Sequence, residues 1–273
     1  FGTEDMRSDI RPTVWIRTRT ADGTMDFDTF DGEDAVTKGK SGAMNGYIAP
    51  MQAFWVKVHA DNTSPTITFT NALRSAQDQS SADDRLRAPQ QSNRQILRLE
   101  VSNGLNFDQM LISTNTAAQN GYDFYDSDKM SASNTAIPEI YSLVAGRELV
   151  IDKRTAIEPG SSAIVGFRPG KEGSFSIKAT ELTNLDNVKV ILKDNQLNTE
   201  TELLANESYT FTSDASATAS RFSIEFRAPG ATTSLNEVNY KNTLVYVNEA
   251  SQIEVQSAAL TTADRISVFN LAG

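Results

Sequence analysis

Leu97, Leu99 and Val101 alternate with Arg98 and Glu100, and Asn103-Gly104 follows at once. This period of two constrains the fold more than any other feature of the chain. A pleated strand sends successive side chains to opposite faces, so such a stretch buries its aliphatic residues only as a strand over a core. The Asn-Gly pair is a two-residue hairpin signal. The same alternation recurs in Thr13–Arg19, in Phe54–His59 and in Thr66–Thr70. In Phe54–His59 it puts Phe54, Val56 and Val58 on one face and Trp55, Lys57 and His59 on the other. Further strands are expected at 107–114, 148–152, 163–167, 174–180, 187–192, 208–212 and 221–227. Glu158-Pro159-Gly160, Arg168-Pro169-Gly170, Asp194-Asn195 and Ala228-Pro229-Gly230 punctuate them. Glu200–Leu204 is the best helix candidate, as a single turn. Many short strands with almost no amphipathic helix predict an all-β fold: antiparallel β-sandwich modules, jelly-roll or Ig-like, packed or sequential.

Two polar stretches, Ser75–Asn93 and Ala228–Glu237, are short of strand-forming residues and read as boundaries. They divide the chain into an N-terminal β module (1–75), a central β-sandwich (93–228) and a short strand-rich piece (238–273). The 273 residues suffice for one large domain or two ordinary ones, with a sizeable core. The N-terminal part is short for a complete sandwich and either lacks strands or shares a core with the central part.

Composition excludes several chemistries. The chain has no Cys, so it has no disulfide framework, thiolate metal site or Cys nucleophile. Its single His, His59, excludes a multi-His metal centre. With 25 Lys+Arg against 35 Asp+Glu the formal charge is −10, which argues against nucleic acid as a partner. No run approaches the roughly 18 apolar residues of a transmembrane helix. No phosphate loop, dinucleotide fingerprint or nucleophile elbow is present.

Three groups of residues are candidate sites. Asp123, Asp126 and Asp128, beside Tyr122, Phe124 and Tyr125, read as a Ca²⁺ loop, as a carboxylate pair for glycosidic acid/base work, or as an Asx-turn serving its own backbone. The run Asp26-Phe27-Asp28-Thr29-Phe30-Asp31-Gly32-Glu33-Asp34 offers hard oxygens without the EF-hand spacing, and reads as an edge strand with a solvated turn. Trp55 and Tyr125 are the candidate ligand-binding aromatics, because an exposed ring beside polar partners suits a sugar or a partner protein. His59 reads as a surface residue rather than a general base.

Tyr47–Val58 with Ile67–Arg74, then Gly121–Met130, Pro138–Ser142, Val190–Asp194, Tyr209–Thr212 and Arg221-Phe222, resembles the C-terminal region of large exported proteins of the Bacteroidota. Leu244–Asn248 and Ile266–Gly273 resemble the first half of the sorting domain read by the type IX secretion system. In that family the motif is Val-Tyr-Pro-Asn-Pro; here Val247 and Glu249 stand at the two Pro positions. The resemblance implies an excerpt of a longer chain, exported by the type IX machinery to the cell surface or the medium. A rigid sandwich with many turns, no Cys and an acidic surface suits a non-catalytic structural or adhesion module contacting a host or matrix protein or a glycan. A carbohydrate-binding module attached to an upstream enzyme is the alternative, and a glycosidase or peptidase is a third.

Overall fold

The structure, a computed structural model, describes residues 10–37, 47–58, 64–69, 93–131, 136–215 and 220–229, and the backbone of 243–247 and 253–257. The chain divides into two compact units, residues 1–230 and 231–273. The described residues form strands and turns with no helix, so the fold is all-β.

In the first unit β1 (Ile10–Arg19), β2 (Met25–Phe30), β3 (Ala35–Val36) and β4 (Trp55–Val58) make an antiparallel sheet of order β3-β2-β1-β4. The remaining strands form one larger sheet. They are β5 (Ile96–Ser102), β6 (Phe107–Thr114), β7 (Ser127–Asp128), β8 (Glu139–Val144), β9 (Arg147–Arg154), β10 (Ser162–Arg168), β11 (Gly173–Thr183), β12 (Lys189–Asp194), β13 (Thr199–Glu202), β14 (Ser208–Ser213) and β15 (Phe222–Arg227). Their order is β13-β12-β15-β10-β8-β9-β6-β5-β11-β14, with β7 paired to β9 off that path. Among the described strands only β6 and β9 pair in parallel. The sheet is barrel-like and nearly closed. At its two ends the Thr199 and Tyr209 hydroxyls lie 3.2 Å apart, and Ala205, in the connection from β13 to β14, bridges Ala179 of β11. Curling back in this way shields strand edges that would otherwise stay unpaired.

The period of two in β5 fills the inside of this sheet. Leu97, Leu99 and Val101 are buried there with Met110 and Ile112 of β6. Phe167 sits 5.1 Å from Phe175 and 5.2 Å from Phe211, and Phe211 lies 4.9 Å from Phe222. Edge-on ring pairs of this kind add about 0.5–1.5 kcal/mol each beyond their burial. Gly166 pairs across the ladder with Tyr141, whose buried ring covers it; a Cβ there would run into that ring.

The small sheet covers the outer face of the large one. Val36 packs on Leu111, Val150 and Ile151. Strand β1 lies along the segment before and within β7: Arg11 donates to the Asp123 carbonyl at 2.8 Å, Thr13 bonds Ser127 at 2.7 Å, and the Trp15 indole donates to the Asp128 carbonyl at 3.2 Å. This second cover explains why seven of the eight residues of β6 are buried.

Two sequence expectations are corrected. Strand β13 overlaps the expected helical turn Glu200–Leu204 at residues 200–202 and pairs antiparallel with β12; this ladder overrides the local preference. Residues 64–69 carry no strand despite their alternation. Most of the polar stretch 75–93 lies outside the described residues. In the second unit β16 (Thr243–Val247) and β17 (Ile253–Ser257) form an antiparallel pair.

Candidate functional site

The loop leading into β7 holds Asp123 and Asp126, and β7 itself holds Asp128; each carboxylate serves a different set of partners. Asp123 accepts from the Tyr125 and Gln119 backbone N–H groups at 2.8 and 2.7 Å, which closes the turn. Asp126 is fully buried; its two oxygens accept from the Asp123 N–H at 2.7 Å and the Lys153 N–H at 2.9 Å. Burial pushes the Asp126 carboxyl up to about 7, although these backbone bonds pull against it. Asp128 takes the Lys57 ammonium and the Tyr122 hydroxyl on one oxygen and the Arg147 guanidinium, at 2.9 and 3.0 Å, on the other. Burial acts upward on Asp128, but the bonds from Lys57 and Arg147 outweigh it and hold the carboxyl below its usual range. Among the described residues no group of three His, Asp or Glu side chains is arranged to hold a metal ion.

The two candidate aromatics fare differently. Trp55 is 39 % exposed and meets Phe27 edge-on at 5.2 Å. Tyr125 is half-buried and stands perpendicular to Phe124 at 5.8 Å. The ring next to Lys57 is Tyr122 instead, with Nζ 3.4 Å from its hydroxyl. Arg147 and Arg11 lie over the Tyr122 ring at 4.2 and 4.6 Å. No signal in the sequence could have brought Arg11, Lys57, Tyr122 and Arg147 together, because sheet order alone makes them neighbours. His59 lies outside the described residues.

The acidic run 26–34 is not a solvated turn. Asp26 and Asp28 are buried on β2, which has β1 and β3 on its two sides, and Asp31 and Asp34 are buried in the turn that follows. Asp31 accepts from the Glu33 and Asp34 N–H groups at 2.9 and 2.7 Å. Into this turn β9 sends Lys153, 2.8 Å from Asp31 and 2.6 Å from Glu33. Asp34 takes Arg94 and the Ser113 hydroxyl. Burial alone would depress the Lys153 ammonium, but Asp31 and Asp34 hold it above its usual range. Burial likewise lifts the Asp31 carboxyl despite Lys153. Two further buried pairs follow the same plan within the large sheet, Asp108 with Lys129 and Asp194 with Arg221.

Fold and site together define an all-β module whose buried acids and bases cross-link its sheets. The chain belongs to the family described as Domain of unknown function (DUF8693), whose profile matches residues 18–226. The match runs from within β1 to within β15, so the family spans both sheets of the first unit. No curated protein and no solved structure matches the chain.

Proposed function

We propose that this chain is a non-catalytic structural or adhesion module of a bacterial cell-surface or secreted protein, exported by the type IX machinery. The observation that carries this reading is the Lys153 network. An ammonium 3 % exposed is committed to carboxylates of the other sheet, and so holds the two sheets in register. Lys129 and Arg221 are tied to buried carboxylates within the large sheet. In this reading the large sheet works as a sandwich of jelly-roll or Ig-like kind, and its partner is a host or matrix protein or a glycan. Beads coated with the intact chain and offered to matrix-protein and glycan surfaces should adhere. Hydrolysis of a glycoside or peptide substrate by the chain, lost in Asp126→Asn, would overturn the reading.

A second reading, a carbohydrate-binding module attached to an upstream enzyme, is favoured by the partly exposed ring of Trp55, on the same side of β4 as Lys57.

A further inference from the structure

A line of rings and cations crosses the small sheet onto the β7 region. The Arg17 guanidinium, exposed, sits 5.8 Å from the centre of the Phe27 ring. Phe27 meets Trp55 at 5.2 Å. Trp55 and Lys57, two residues apart on β4, project to the same side. Lys57 reaches Tyr122, and Tyr122 is overlain by Arg147 and Arg11. The line is open to solvent: the Lys57 and Arg147 side chains are 36 % and 44 % exposed.

Its charge opposes that of the molecule. Of its four cations, Lys57 and Arg147 pair with the Asp128 carboxylate, on a chain of net charge −10. Among the described residues Arg11 and Arg17 have no carboxylate partner: Arg11 holds the Asp123 carbonyl and the Tyr122 ring, and Arg17 only the Phe27 ring. A guanidinium set against rings and left without an acid keeps its planar fork available for a planar anion. The two lie six residues apart on β1, about 20 Å at roughly 3.3 Å per residue.

We propose that this strip binds a uronic-acid polysaccharide, with Trp55 stacking on a sugar ring and Arg17, Lys57, Arg147 and Arg11 receiving its carboxylates. An apolar indole face matches the C–H face of a pyranose. Widely spaced cations match a polymer that carries single charges on successive rings. A nucleic acid, with one charge per roughly 1.7 Å of duplex, would meet far more repulsion from the acidic remainder of the protein. This inference rests on the carbohydrate-binding reading and names its ligand class.

The test is titration of the intact chain with polygalacturonate, a neutral β-glucan, heparin and an oligothymidylate. Polygalacturonate should bind most tightly, and more weakly as salt rises from about 0.05 M to about 0.5 M. Trp55→Ala should weaken it about tenfold. Arg17→Gln, at an exposed site with no carboxylate partner, should weaken it about threefold with the fold intact. Polygalacturonate binding unchanged in both variants overturns the proposal, as does tighter binding of heparin or oligothymidylate. Binding of the β-glucan without polygalacturonate overturns the acidic class and leaves a carbohydrate-binding module standing. Binding of no glycan overturns both.

Discussion

The Lys153 ammonium contacts the Glu33 carboxylate at 2.6 Å across 120 residues of chain. One end of this contact belongs to the large sheet and the other to the turn that closes β2. Asp31, 2.8 Å from the same nitrogen, is almost wholly buried, so the group cannot be relaxed by water.

Removing the ammonium should therefore cost more than the pair itself contributes. Lys153→Met leaves Asp31 buried without its cation, while Asp34 keeps Arg94, a change expected to destabilise by about 3–5 kcal/mol. Urea unfolding measures it. The double variant Lys153→Met/Asp31→Asn should be destabilised by less than the sum of the singles, because it no longer buries an orphaned Asp31 charge. Strict additivity would show that the contact does not couple the sheets.

Stability should carry a pH signature from Asp126. Its folded carboxyl titrates near 7, above the ordinary 3.8. The folded chain then holds a proton that the unfolded chain has released between these values. The stabilising effect is complete below about 4 and is lost as pH rises through about 7. The loss amounts to up to about 4 kcal/mol, at roughly 1.4 kcal/mol per pKa unit. Asp126→Asn brings a fixed penalty where its amide faces a backbone N–H, but it removes this slope. Denaturant curves of both proteins from pH 4 to 8 give the comparison, and parallel pH profiles would refute the assignment.

Calcium is expected to leave the loop before β7 unchanged. Asp123 and Asp126 already accept two backbone N–H bonds each, and Asp128 is held by Lys57 and Arg147. A cation there would have to displace both partners of Asp128. Melting in Ca²⁺ against chelator should differ by less than about 1 °C; a rise of several degrees would reveal a site that binds the folded chain.

Gly166→Ala should destabilise by about 1–3 kcal/mol, since the added methyl enters the space of the buried Tyr141 ring. Thermal melts of Gly166→Ala and of Gly166→Ala/Tyr141→Leu check the cause: the smaller side chain should recover part of the loss.

Strand β5 was legible because one of its faces is polar, and Leu97, Leu99 and Val101 mark the other. Strand β8 was not, because Glu139–Ser142 are all buried and show no alternation. The aspartates of β2 misled for the converse reason. Asp26 and Asp28 look like solvent-facing residues on either side of Phe27, yet both are buried. At the loop before β7 the sequence pointed to Asp123, Asp126 and Asp128 and to the turn they build. It held no trace of Lys57 or Arg147 as partners of Asp128.

The sequence by itself determined that this chain is all-β and where most of its strands run. Alternation and turn residues are local properties, set by the pleat of one strand and the φ/ψ needs of one turn. Only the tertiary structure decided that the large sheet curls on itself, that Lys153 meets Asp31 and Glu33, and that Arg11, Arg17, Trp55, Lys57, Tyr122 and Arg147 share one surface. Those contacts depend on strand order. Strand order follows from burying all the apolar faces together, and no short window of residues encodes that sum.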